Sequence, residues 1–131
     1  MKIKIRDYEY NIYEVDRNEE NFVHEDGSLR LYGETDYTKQ TIKILKELNY
    51  TRKRQTLIHE LVHAFHDVYL ASAHVKDKYD EEDICCFFAT YGDEILKIVE
   101  NYFKNKKQVW FLKILLKIRQ HKVWRYRMHT V

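Results

Sequence analysis

The sequence predicts an α+β fold, in which a small antiparallel or mixed sheet precedes a set of helices. Two patterns along the chain lead to this prediction. Apolar and polar residues alternate through much of the first 45 residues, as in half-buried strands. From Thr51 the apolar spacing changes to three and four residues, as in helices that cover a core. The 131 residues contain no proline, no internal repeat and no low-complexity linker, so residues 1–131 are expected to form one domain.

Four strands are predicted before the first helix. In chain order they are residues 2–5, 8–15, 29–37 and 40–45, and apolar and polar side chains alternate most clearly in the first two. Arg6 and Asp7 are expected to form the turn between the first two strands. The Asp26-Gly27-Ser28 segment is the clearest turn signal in the chain and precedes the third strand.

Three helices are predicted after the strands. The first has Thr51 as its expected N-cap, and its wide apolar face indicates a central position in the core. The second begins near Asp80 and keeps its apolar spacing as far as Tyr102, with Gly92 as a point where it could bend or split. The third covers roughly residues 107–122.

The first predicted helix contains His59-Glu60-Leu61-Val62-His63, the H-E-x-x-H arrangement of zinc peptidases. Residues four apart on an α-helix differ by about 40° around the axis and by about 6 Å along it, so the imidazoles of His59 and His63 can reach one ion. Glu60 lies on the flank of that face, where it can act as a base. Burying these polar groups without a metal or partners would cost free energy. The motif therefore predicts a zinc site.

A catalytic zinc needs a third protein ligand. The start of the second predicted helix supplies four carboxylates, Asp80, Glu81, Glu82 and Asp83. Acidic residues also suit any helix N-terminus, so the cluster alone does not identify a ligand. Glu82 is favoured because it shares a helical stripe with Cys86 and Ala89, whose small side chains suit close helix packing. Glu81 and Asp83 stay as alternatives, and Cys86 is a further, softer candidate.

Other polar residues are candidates for contact with a substrate. Tyr91, His66 and His74 are considered as donors to a developing oxyanion, although Tyr91 also fits the apolar stripe of its helix. His66 lies one turn beyond His63 and is too far along to be a ligand without a helix break. The segment 39–46 is predicted to bind an extended substrate by strand addition if its edge is free.

With these features the chain resembles the minimal gluzincins of the ImmA/IrrE type, small metallopeptidases common in bacteria, phages and mobile elements. The resemblance rests on a strand, the motif segment and the Phe-Ala pair of an acidic helix, which are residues 40–44, 55–64 and 88–89. It covers about residues 28–100. Family members often have a glutamate six residues before the Phe-Ala pair, which is the position of Glu82. They tend to have a small residue and then Asn or Asp where this chain has Cys85 and Cys86.

The resemblance implies a zincin-like fold and a zinc-dependent peptidase that acts on a protein or peptide, in some members a transcriptional repressor. It implies that His59, His63 and Glu82 bind Zn²⁺ and that Glu60 is the general base for a zinc-activated water. An intact Glu60 favours hydrolysis, because metal binding alone does not require that base. The alternative is a non-catalytic zincin-like module that binds a protein or nucleic acid.

The charges of the chain are unevenly distributed. Residues 1–100 carry 14 Lys/Arg and 21 Asp/Glu, a balance of −7, whereas residues 101–131 carry nine basic residues and no acidic ones. Three uses compete for this basic segment: packing on the core, contact with nucleic acid, or contact with an anionic membrane surface. We expect residues 107–118 to pack on the core and the last dozen residues to be exposed.

The composition does not indicate insertion into a membrane. No stretch approaches the roughly 18 to 20 uncharged apolar residues that span a bilayer, and the first residues lack the apolar run of a signal peptide. Cys85 and Cys86 are adjacent in the sequence, where a normal disulfide cannot form between them. The sequence therefore predicts a cytoplasmic protein with reduced thiols.

Overall fold

A computed structural model describes residues 1–18, 22–70 and 79–129, with the side chains described as far as residue 120. Its elements in chain order are β1 (Lys2–Ile5), β2 (Tyr8–Val15), β3 (Gly33–Asp36), β4 (Thr41–Leu45), α1 (Tyr50–Leu70) and α2 (Glu81–His129). The predicted α+β class is confirmed. The chain divides into two compact units, Met1–Val99 and Glu100–Val131, and the second begins at the last acidic residue of the sequence.

The four strands form one mixed sheet in the order β1-β2-β4-β3. β1 and β2 make an antiparallel hairpin, β2 and β4 are parallel, and β3 returns antiparallel to β4. Because β4 is paired on both sides, the expected strand addition to residues 39–46 was wrong. In the described part of the chain the outer strands are β1 and β3.

The third strand is shorter than predicted. Leu29 forms an isolated bridge with Val23 across the predicted turn, so the chain enters the sheet only at Gly33. The turn itself is confirmed: Gly27 has a φ of 83°, and the Asp26 carboxylate accepts the Ser28 N–H at 2.9 Å. The predicted strand 29–37 is therefore divided between this turn and β3.

The core of the first unit lies between the sheet and α1. Alternate residues of β1, β2 and β4 are buried, namely Ile3, Ile5, Tyr10, Ile12, Ile42 and Ile44, and α1 contacts β1, β3 and β4. The α1 side chains that complete this core are Leu57, Leu61, Ala64, Phe65 and Val68. The predicted central position of this helix is confirmed.

Helix α1 begins at Tyr50, whereas an N-cap at Thr51 would start it at Arg52. Asn49, and not Thr51, caps the helix, because its side-chain oxygen accepts the Arg52 N–H at 2.9 Å. An ion pair between the Lys53 ammonium and the Glu14 carboxylate, both largely buried, links the first turn of the helix to β2. The start of α1 is thus fixed against the sheet.

The second and third predicted helices are one helix, α2. Asp80 and Asp83 form a reciprocal cap at its start, since each side chain accepts the backbone N–H of the other at 2.9 and 3.1 Å. Gly92 does not split the helix. It is buried, and a Cβ there would lie 3.2 Å from the Phe88 ring. No helix in the described ranges is long and apolar enough to cross a membrane.

The apolar side chains of residues 107–118 do not pack as predicted. Seven of them are exposed, and these are Val109, Trp110, Phe111, Leu112, Leu115, Leu116 and Ile118. A continuous helix without a breaker after Gly92 carries them around most of its circumference, so they cannot all face one core.

Candidate metal centre

Helix α1 divides the three motif residues between solvent and core. His59 and His63 are exposed one turn apart, with ring centroids 4.9 Å apart, and their Nε2 atoms are separated by 3.2 Å. Glu60 lies at the side of that face and is only 6% exposed. The helix therefore presents two converging imidazoles beside a buried carboxylate.

The spacing of the two imidazoles fits a shared metal ion. Two nitrogens bound to zinc at 2.0–2.1 Å in tetrahedral geometry lie about 3.3 to 3.4 Å from each other, close to the 3.2 Å between the Nε2 atoms of His59 and His63. A hydrogen bond between neutral rings has a similar length. Both residues are exposed, so the pair is accessible to a ligand from solvent.

The carboxylate of Glu60 is held by the edge strand β3. The Thr35 hydroxyl donates to Glu60 Oε2 at 2.6 Å and also lies 3.1 Å from the Glu60 carbonyl oxygen. A hydrogen bond to a carboxylate is stronger than one between neutral groups, and partial burial strengthens it further. Thr35 thereby fixes the direction of the one motif side chain that faces the sheet.

Close approach of α1 to β3 depends on Gly33. A Cβ at this position would lie 2.7 Å from the Thr56 Cγ2 atom, 3.0 Å from Glu60 Cγ and 3.1 Å from the Lys43 carbonyl oxygen. Only a residue without a side chain fits this space. Gly33 thus sets the distance across which Thr35 reaches Glu60.

Two tyrosines and a further carboxylate lie along the sheet side of α1. Burial raises the pKa of Tyr10 to about 12, and the negative charge of Asp67 adds to the shift. The pKa of Tyr37 is raised by partial burial and then by the negative charges of Asp67 and Glu60. Tyr37 is therefore a half-exposed phenol within the electrostatic influence of both carboxylates.

The predicted third ligand is not grouped with the two imidazoles. Glu82 is exposed on the first turn of α2, as are Glu81 and Cys86, and Asp83 contributes to the helix cap. Among the described residues, no three His, Cys, Asp or Glu side chains are grouped so that they could hold a metal. The two histidines are thus brought together, and the assignment of Glu82 stays a prediction.

The predicted oxyanion donors have other neighbours. His66 Nε2 forms a hydrogen bond with the Tyr79 hydroxyl. Tyr91 stacks on Tyr69 with ring centroids 4.6 Å apart and also contacts Phe65, so it belongs to an aromatic cluster between α1 and α2. His74 lies outside the described residues.

Residues 33, 35, 37 and 67 were not identified from the sequence. Their importance comes from contacts between α1, β3 and the turn after β3, and no local sequence pattern indicates such contacts. One signal was present for Gly33, since a glycine inside a strand often marks a close backbone approach. No protein-family model matches the chain, and comparisons with characterised proteins and with solved structures find no significant match.

Proposed function

We propose that this chain is a zinc-dependent metallopeptidase of the ImmA/IrrE gluzincin type, in which His59 and His63 bind the metal and Glu60 is the general base. One observation carries the proposal: two exposed imidazole nitrogens 3.2 Å apart stand beside a buried carboxylate whose direction is fixed by Thr35. Glu82 is proposed as the third ligand from its helix position and from the family resemblance.

His59, His63 and Glu82 would hold the zinc ion, which would supply Lewis-acid chemistry for the activation of water and of the scissile carbonyl group. A residue of this chain then transfers the proton of the attacking water. Glu60 accepts it from the attacking water and delivers it to the leaving amine, so one carboxylate acts first as base and then as acid. The Thr35 hydroxyl occupies Oε2, which leaves Oε1 as the oxygen that takes and returns the proton.

The proposed substrate is a peptide segment in extended form, for example an exposed segment of a repressor. The position of β3 as an outer strand of the sheet, among the residues that the structure describes, supports this choice. Leu45 N–H donates to the Tyr32 carbonyl, and the alternation of an antiparallel ladder then directs the backbone groups of Gly33 and Thr35 outward. A peptide paired with that edge would run beside β3, whose Thr35 binds the Glu60 carboxylate.

Metal analysis combined with two substitutions tests the proposal. Protein purified without chelator should contain about one zinc per chain, and His63→Ala should lose it, whereas His24→Ala, an exposed histidine outside the motif, should not. Glu60→Gln should keep zinc and lose hydrolysis of denatured casein or of a peptide library. The proposal fails if wild type holds no zinc, or if Glu60→Gln still cleaves.

The third ligand has its own test. Alanine at Glu82 should weaken zinc binding far more than alanine at Glu81 or Asp83, measured by competition with a chelator of known affinity. Equal affinities in the three variants would remove Glu82 from the site and leave Cys86 as the next candidate.

A zinc-loaded protein that cleaves no peptide would favour the alternative, a non-catalytic zincin-like binding module. The cytoplasm is the proposed place of action, since Cys85 and Cys86 are both exposed free thiols and such thiols persist in a reducing compartment.

A further inference from the structure

The second unit, Glu100–Val131, exposes an unusual concentration of large apolar side chains. We call residues 109–118 of α2 the apolar segment. Seven of its ten residues are between 46% and 64% exposed, and Trp110 is the most exposed of them. Single exposed apolar residues are common on protein surfaces, but a contiguous group of this kind marks a site of contact.

The two lysines of the apolar segment lie on one narrow stripe of the helix. At 100° per residue, Lys113 and Lys117 differ by about 40° around the axis, and the exposed apolar side chains occupy most of the remaining circumference. A wide apolar surface beside a lysine stripe suits a helix that lies in the plane of a membrane interface.

Basic residues also bracket the apolar segment along the helix axis. Three lysines precede it and four basic residues follow it: Lys104, Lys106, Lys107, Arg119, Lys122, Arg125 and Arg127. No acidic residue occurs from residue 101 to the end of the sequence. Long basic side chains at both ends can reach anionic headgroups while their apolar stems stay near the hydrocarbon.

Three kinds of partner could cover this surface, and the charges and side chains discriminate among them. Nucleic acid would neutralise the lysines but leave Trp110, Phe111 and Leu116 in water. A second copy meeting the same helix would bring together two segments that each carry nine basic residues and no acid. An anionic lipid surface meets both requirements, because its headgroups pair with the lysines and its acyl chains accept the apolar side chains.

We propose that α2 docks through its apolar segment on the surface of an anionic lipid bilayer, lying in the interface without crossing it. This goes beyond the proposed peptidase and does not depend on the metal site. Residues 1–100, with a net charge of −7, are repelled by the same surface, so the affinity must reside in residues 101–131.

Vesicle binding by the full chain tests this inference. Both tryptophans of the protein, Trp110 and Trp124, lie in the basic segment, so selectively excited tryptophan fluorescence reports on this part of the chain alone. Vesicles of phosphatidylcholine with 30% phosphatidylglycerol should sediment the protein and shift the emission to the blue. Pure phosphatidylcholine vesicles should bind it far less, and raising the salt from 0.05 to 0.5 M should release it from the anionic vesicles.

The lysine stripe is tested by charge removal. Lys113→Gln combined with Lys117→Gln should weaken binding to anionic vesicles by roughly 25-fold, about fivefold for each lysine. The matched control combines Lys39→Gln with Lys46→Gln, two exposed lysines of the first unit, and should bind as wild type or slightly more weakly. An equal loss in both double variants would overturn the assignment to this stripe.

The apolar side chains are tested by a second pair. Leu112→Gln with Leu116→Gln should abolish the blue shift and reduce sedimentation, whereas Ile84→Gln with Phe88→Gln, an exposed pair with the same spacing on the same helix, should change neither. Equal binding to neutral and anionic vesicles would overturn the inference. Binding of duplex DNA without binding of vesicles would overturn it in favour of nucleic acid. A blue shift in the absence of vesicles, together with a doubled mass in light scattering, would overturn it in favour of a second copy of the chain.

Discussion

The Thr35 hydroxyl donates a hydrogen bond of 2.6 Å to the Glu60 carboxylate, and this contact joins the edge strand of the sheet to the motif helix. The two residues are 25 positions apart in sequence. Because the bond fixes one oxygen of the Glu60 carboxylate, it also determines the direction in which the other oxygen points. The hydroxyl is thus predicted to affect hydrolysis and not metal binding.

Thr35→Val should therefore lower kcat by roughly ten- to a hundredfold, the range expected for the loss of a hydrogen bond to a charged group. Zinc content should not change, because valine has the same shape and the imidazoles are untouched. Thr38→Val, an exposed threonine in the turn after β3, is the control. Unchanged kcat in Thr35→Val would show that the bond does not position Glu60 for catalysis.

Gly33→Ala is predicted to destabilise the fold by about 1 to 3 kcal/mol, the usual cost of overpacking. The new methyl group would lie 2.7 Å from Thr56 Cγ2 and 3.1 Å from the Lys43 carbonyl oxygen, and the latter is backbone that cannot easily move. Urea denaturation measures the change in the free energy of unfolding.

A second substitution separates the two contacts made by this methyl group. Thr56→Ser removes the Cγ2 atom and keeps the hydroxyl, which donates to the Arg52 carbonyl at 2.8 Å. The double variant should therefore recover part of the lost stability relative to the sum of the single effects. Strict additivity would mean that the helix has moved away and that Gly33 does not set the distance.

These contacts also explain which features the sequence could predict. The limits of β1 and β2 matched because alternation and the intervening turn at Arg6 are local signals, and Arg6 does adopt a positive φ of 56°. The spacing of His59 and His63 is likewise local to one helix. The partner of Glu60, by contrast, depends on how β3 returns beside β4, which no spacing in the chain encodes.

The length of α2 was misjudged for a related reason. The apolar spacing of the second predicted helix ends at Tyr102 and the third begins only near residue 107, which predicts two helices with a gap between them. The gap does not end a helix, because no proline follows, and Gly92 does not interrupt it because the Phe88 ring covers the glycine. A break in apolar spacing is therefore not a break in secondary structure.

Thr41→Val is predicted to stabilise the protein by about 1 kcal/mol. The Thr41 hydroxyl on β4 is buried, and among the described residues it is the one buried side-chain polar atom found without a hydrogen-bond partner. Replacing it with a methyl group removes that unsatisfied group and keeps the volume, and valine favours a strand. A rise of a few degrees in Tm would agree, and a fall would indicate that a bound water satisfies the hydroxyl.

The buried phenol of Tyr10 predicts a specific weakness at alkaline pH. Burial, assisted by the charge of Asp67, raises the pKa of this group to about 12 from an ordinary value near 10. Since the folded state holds the proton more tightly than the unfolded chain, this contribution to stability is complete below pH 10 and is lost as the pH rises towards 12.

The variant Tyr10→Phe removes this titration. The stability difference between wild type and Tyr10→Phe should therefore shift by about 1 kcal/mol in favour of the variant between pH 9 and pH 11, measured by urea denaturation. Tyr13→Phe, an exposed tyrosine on the same strand, should follow wild type at both pH values. Parallel pH profiles for wild type and Tyr10→Phe would mean that the Tyr10 hydroxyl reaches solvent in the folded protein.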